Sequence, residues 1–138
     1  MTAPRTTPGK TRKTVYRVVA RLRNDDARVL LDNKRNNGAI YLAGYAIECQ
    51  LKYALCQRKN LLELPEELET HDWDRLVTSA GLLEDIKLQP DIYVVYSALT
   101  RVWGPSLRYR TGNYSENQAK LLYNQMNQLY KFLERMVI

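Results

Sequence analysis

Arg101, Arg108, Tyr109 and Arg110 form the stretch of this chain best equipped to hold a phosphate. Guanidinium forks match phosphate oxygens in geometry and charge, and a tyrosine ring between them offers a surface on which a base can stack. The competing reading is a solvated loop whose arginines pair with the acids between Glu63 and Glu69. A second polar set stands on or near an otherwise apolar segment: Glu48, Lys52 and His71. Glu48 and Lys52 are four residues apart with the acid first, the favourable order for a helical ion pair. Glu48 reads either as a buried carboxylate held by Lys52 or a tyrosine, or as a cleft acid for an amine or a ribose. His71 is the single histidine and lies in Glu69-Thr70-His71-Asp72-Trp73-Asp74. That setting lacks the ligand set of a zinc site, and a Thr-His pair at a helix start commonly serves in capping. The chain has no Gly-rich phosphate cradle, no CxxC pair, no G-x-S-x-G elbow and no acidic metal cluster, so neither a metal nor a cofactor is implied.

The element that must position the second set is Asn37–Arg58, which reads as one long helix apolar on two sides. At one hundred degrees per residue, Ile40, Ala43, Gly44, Ile47, Leu51, Ala54 and Leu55 share one face. Leu42, Tyr45, Cys49, Tyr53 and Cys56 share the opposite one. A further helix of the same chain or a second subunit can cover this second face; because it exceeds what a short bundle covers, a homodimer is predicted. Cys49 and Cys56 lie two turns apart on that face, about 10 Å along the axis, too far for a disulfide, so a reducing compartment is expected.

The rest of the chain reads as further helices. Residues 1–13 are expected to be a flexible basic arm and 14–138 a single helical domain. Arg5, Lys10, Arg12, Lys13, Arg17, Arg21 and Arg23 all precede the first acid, Asp25, so the net charge of +6 sits at the N-terminal end. Val15, Val18, Val19 and Leu22 keep a helical spacing, with Asn24-Asp25-Asp26 able to open a second helix, and the pattern leaves one or two helices open. Lys34–Gly38 is a polar turn that folds this region back on the central helix. A loop around Pro65 leads to a helix over Trp73–Ala80, capped by Asp72 and stopped by Gly81. Pro90–Trp103 forms another, Ser106–Tyr114 a basic, aromatic loop, and Ser115 with Gln118 a capping box that opens the last helix. The expected fold is all-α, an up-and-down helical bundle of about five helices. With no apolar run near the roughly 18 residues of a membrane span and no signal-peptide core, a soluble cytoplasmic protein is expected.

The order of features resembles a known family. Ala27-x-x-Leu30-Leu31, a polar turn, AIYLAGYAIECQLKYAL over 39–55, Thr70-His71-x4-Leu76 and a W-x-P-x-x-R-Y stretch over 103–109 are similar to the HEPN domains, the nucleotide-binding domains of higher eukaryotes and prokaryotes. The resemblance spans 25–138. It implies a bundle, usually dimeric, often encoded beside a minimal nucleotidyltransferase and acting in toxin–antitoxin or defence systems. Catalytic members cut RNA across a dimer cleft with an arginine followed, after four to six residues, by a histidine. Here Arg108 is followed at the shorter spacing by Asn113, and an amide cannot take and pass a proton near neutral pH as imidazole does. The resemblance therefore implies a non-catalytic member. It would bind a nucleotidyltransferase partner, a nucleotide or RNA through a basic cleft built on Arg101, Arg108, Tyr109 and Arg110. Glu48, Lys52 and His71 would be candidate polar groups of that cleft, and the alternative is a divergent HEPN ribonuclease toxin.

Overall fold

The computed structural model describes residues 11–136; positions 1–10 of the arm expected over 1–13 lie outside the described residues, and Lys13 is the first residue of a helix. Six α-helices follow in order: α1 Lys13–Asp32, α2 Asn36–Arg58, α3 Trp73–Ala80, α4 Leu83–Lys87, α5 Pro90–Val102 and α6 Glu116–Met136. The fold is an all-α bundle in which α1, α3 and α6 pack around α2. The five-residue α4 is the element that no sequence periodicity announces.

α1 runs unbroken through Asn24-Asp25-Asp26. Within it Arg23 pairs with Asp26 one turn on and Arg28 with Asp32, so the acids support the helix instead of restarting it. Lys34, in the left-handed region at φ 61°, makes the reversal into α2. The two helices then lie antiparallel. Lys13 Nζ donates to Gln57 Oε1 at 2.7 Å, and the Arg17 guanidinium donates to Tyr53 Oη at 3.2 Å while lying over the same ring. Ala20 and Ala27 are fully buried between them, small enough to let the two backbones approach.

This packing corrects one expectation. The face of α2 that was to reach for a second subunit is closed within the chain, because α1 covers it: Cys49, Tyr53 and Cys56 are buried, and Leu42 and Tyr45 are packed on the core. The α1 residues that pack on the core are Ala20, Ala27 and the partly buried Tyr16, Val19 and Leu31, whereas Val15, Val18 and Leu22 of the helically spaced apolar set stay exposed. The burial of this face removes the ground on which the sequence predicted a homodimer.

After α2, the chain reverses at Asn60 and residues 62–64 run antiparallel to 11–13. Lys13 N donates to Leu62 O at 3.0 Å and Leu64 N to Thr11 O at 3.2 Å. A single 3-10 turn, Glu66–Leu68, leads to α3, where the Asp72 carboxylate accepts from Arg75 N and Gly81 at φ 70° ends the helix. The Arg58 guanidinium ties the end of α2 to this corner, donating to Gly81 O and pairing with Asp85 at 2.8 Å. α5 ends at Trp103, whose ring lies over Gly44 of α2, stacks on Trp73 at 5.1 Å and donates its Nε1–H to Tyr41 O at 3.1 Å. Ser115 and Gln118 form the reciprocal capping box that opens α6. Among the described residues, no helix is long and apolar enough to cross a membrane.

Candidate functional site

Between α5 and α6, residues 105–109 make a 3-10 turn and 110–114 an extended strap. Two asparagines at the start of α2 hold that strap. Asn37 Nδ2 donates to Arg110 O and Gly112 O at 3.3 and 3.1 Å, and its Oδ1 accepts from Tyr114 N at 2.9 Å. Asn36, buried, donates from Nδ2 to Tyr114 O at 2.9 Å. Side-chain amides carry both donor and acceptor, which is what a backbone strap with no ladder of its own requires. Sequence reading took these asparagines for turn residues and missed their role as a clamp.

The clamp presents two arginines in defined settings. The Arg110 guanidinium sits 3.9 Å from the centre of the Tyr114 ring. Arg108 Nε–H donates to Pro105 O and its guanidinium lies 5.5 Å from the Tyr109 ring centre. Tyr109 is 77% exposed, so one ring face stays open to solvent. Among the described residues, no carboxylate stands within ion-pair distance of Arg101, Arg108 or Arg110. The acids of 63–69 do not neutralise them. Arg101 opens onto a different depression, shared with Asp74, Tyr93, Tyr96 and Thr100, and no hydrogen bond joins it to the strap. In that depression the Tyr96 hydroxyl donates to Asp74, and burial together with this bond raises its pKa.

The second polar set comes together elsewhere. Glu48 is 1% exposed, and its two oxygens are both used: Oε2 accepts from Lys52 Nζ at 2.9 Å and Oε1 meets His71 Nδ1 at 2.8 Å. Both the spacing-based pairing with Lys52 and a tether to the loop before α3 are thus realised in one buried carboxylate. His71 does not cap α3; Asp72 does that. In this contact the carboxylate oxygen accepts and Nδ1 donates. The imidazole is 56% exposed and stands between two cavities. One, of about 360 Å³, is lined by Thr70, Asp72, Trp73, Asp74, Thr100 and Trp103. The other, of about 450 Å³, is a groove between α1 and α2 whose lining includes Tyr16, Tyr45, Glu48, Cys49, Lys52 and Glu69. Burial pushes the Cys49 thiol up to about 11, with the Glu48 charge adding to it, and burial beside Cys49 pushes the Tyr45 hydroxyl up to about 12. Neither is a nucleophile near neutral pH.

Position along α2 separates the two sets. Asn37, which holds the arginine strap, and Glu48, which holds His71, are eleven residues apart, on the order of 16 Å along the axis. The family profile of the HEPN domain matches residues 18–136, nearly the whole described chain. The chain belongs to the HEPN domain family. Searches of curated proteins and of solved structures returned no match. In this HEPN domain, then, the imidazole and the exposed guanidinium groups are held at different levels of the central helix, and their chemistry has to be read separately.

Proposed function

We propose that this HEPN domain is a non-catalytic member that binds a nucleotide or RNA through the Arg108-Tyr109-Arg110 strap, with Arg101 as a flanking cation. The observation that carries the reading is the strap itself: two guanidinium groups without carboxylate partners, each beside a tyrosine ring, on backbone fixed by Asn36 and Asn37. Cations left unpaired beside an open ring suit phosphate contact and base stacking without sequence readout. Asn113 in place of a histidine supports binding without cleavage, and so does the tether of His71 to Glu48, a level of α2 away from the strap.

A homodimer finds support on α5. Pro90, Val94, Ala98 and Val102 are spaced by four and all exposed, a row of small apolar side chains along the outer side of that helix. The row is symmetric about Ala98, so two copies crossing antiparallel there would set Val94 of each against Val102 of the other. Family membership supports a place in a toxin–antitoxin or defence system and a minimal nucleotidyltransferase as partner. Binding of single-stranded RNA at several salt concentrations tests the proposal. Arg108→Ala with Arg110→Ala should lower the slope of log affinity against log salt by about 1.4, roughly 0.7 per lost phosphate contact on a single strand. An unchanged slope moves the binding surface away from the strap.

A further inference from the structure

α1 is turned so that its alanines face inward while several of its larger aliphatic side chains face outward. Ala20 and Ala27 are fully buried, whereas Val15, Val18, Leu22 and Val29 are 47%, 56%, 50% and 60% exposed. These four recur at intervals of three, four and seven, which sets them in one row along the outer side of the helix, in the manner of a heptad seam. Asp25 alone breaks the row. A helix that served this bundle only would gain by burying the valines and the leucine and exposing the alanines. At its N-terminal end the row widens toward α2, because Val15 lines the groove between the two helices together with Val19 and Tyr45. Charge follows the same stretch. Arg12, Lys13, Arg17, Arg21 and Arg23 occupy residues 12–23 without one acid among them. Arg17 and Arg21, at helical spacing along the edge of the row away from the groove, are exposed, and among the described residues neither has a carboxylate within ion-pair distance.

We infer that the outer face of α1 docks an amphipathic helix of a second protein, apolar along the stripe that covers Val15, Val18 and Leu22 and acidic beside it. An apolar row needs an apolar stripe of the same period, and cations without carboxylates along its edge select a partner that brings them. The pattern excludes a second copy of this chain. Antiparallel pairing about Leu22 sets Arg21 against Arg21, and parallel pairing in register stacks Asp25 on Asp25. It also excludes the chain's own residues 1–10, which add Arg5 and Lys10 and no acid, so like charge keeps them from this face. A lipid surface fits less well than a helix: α1 contains neither Trp nor Phe, and Asp25 and Asp26 stand in the path of the row. This face does not depend on the reading of the arginine strap.

Fluorescence anisotropy tests it, with the full chain titrated into a labelled synthetic peptide of about three heptads that carries leucine at a and d and glutamate at e and g; like charges at e and g keep the peptide from pairing with itself. The comparison peptides have lysine at e and g, or serine at a and d. The leucine–glutamate peptide should bind, and each comparison peptide should bind about ten-fold more weakly or not at all. Val18→Asp and Leu22→Ser, both at exposed side chains, should each weaken the leucine–glutamate peptide by about ten-fold while helix content by circular dichroism stays unchanged. Arg21→Glu should weaken it by about five-fold and strengthen the lysine peptide by a similar factor, a swap that loss of fold cannot produce. Arg108→Ala with Arg110→Ala should leave peptide binding within about two-fold, while that variant loses RNA. No binding at roughly 1 mM peptide overturns the inference, as does binding that survives Val18→Asp and Leu22→Ser or that ignores the sign of charge at residue 21. Sedimentation with phosphatidylserine vesicles that Val18→Asp abolishes, without peptide binding, also overturns it and makes this face a membrane surface.

Discussion

Replacing Gly44 with alanine should unsettle the whole α2–α5 junction, although the same change in a helix ordinarily stabilises. Alanine is better than glycine inside a helix by about 1 kcal/mol. Here a Cβ would stand 2.0 Å from Trp103 Nε1, 2.1 Å from Cδ1 and 2.4 Å from Cε2. These atoms belong to a rigid indole stacked on Trp73 on one side and facing Tyr41 on another, so no flexible tip can move aside. The ring has to leave. That loses the bond to Tyr41 O, about 1 kcal/mol, and ring stacking of about 0.5–1.5 kcal/mol. It also re-exposes part of the 150–250 Å² that a buried aromatic contributes at roughly 25 cal/mol per Å². After the propensity gain is set against these losses, Gly44→Ala should destabilise by on the order of 3 kcal/mol, or about 10 °C in Tm for a domain of this size. Gly38→Ala is the control, since its Cβ would meet only Leu30 Cδ1 at 3.3 Å, the free end of a flexible chain, and it should be neutral or stabilising by up to about 1 kcal/mol. Urea unfolding followed by circular dichroism and by tryptophan emission measures both, because the chain's two tryptophans are the stacked pair. A Gly44→Ala protein as stable as wild type with unchanged emission would refute this account of the junction.

Three further outcomes follow from the same geometry. Asn37→Ala removes three hydrogen bonds to the strap and should cost roughly 1–3 kcal/mol by urea unfolding and weaken RNA binding; unchanged values for both would show that the clamp does not hold the strap. Raised pKa values at Cys49, from 9.0 to about 11, and at Tyr45 and Tyr130, from 10.0 to about 12, favour the protonated, folded form. Their contribution to stability should therefore be level below pH 9.0 and fall as pH rises from there through 11 and 12, and urea midpoints that hold level between pH 9.0 and 12 would contradict the assignment. Val94→Asp puts a charge in the centre of the exposed α5 row and should convert the dimer to a monomer in light scattering without loss of helix signal; wild type that already scatters as one chain removes the dimer.

What was legible in the sequence is what is encoded locally. The caps at Asp72 and Ser115, the stop at Gly81 and the Glu48–Lys52 pair all depend on residues within four positions of each other, and the structure has each of them. The long apolar reading of α2 also holds, since burial on two sides leaves a pattern that no surface helix carries. Pattern does not say who covers a face, and that is why α1 supplied what a second subunit was expected to supply. Five-residue α4 is too short to show a period. The polar site depends on distance in the chain: Glu48 and His71 are 23 residues apart, and the Asn37–Tyr114 bond spans 77. Single-sequence reading could list Glu48 and His71 as candidates, and only the fold brings them together. Arg101 was grouped with Arg108 because it lies near in sequence, whereas α5 turns it toward a different depression.

The most direct test of the central reading is to incubate the purified protein with labelled single-stranded and structured RNA, with and without Mg²⁺, beside the Arg108→Ala, Arg110→Ala variant, and to follow binding and strand integrity in the same samples. Metal-free cleavage needs a base for the 2′-hydroxyl and an acid for the leaving oxygen as well as cations, and the strap supplies the cations alone. The prediction is RNA that is retained and intact with wild type, and neither retained nor cut with the variant. Cleavage by wild type that disappears in the variant would contradict it and make this HEPN domain a ribonuclease.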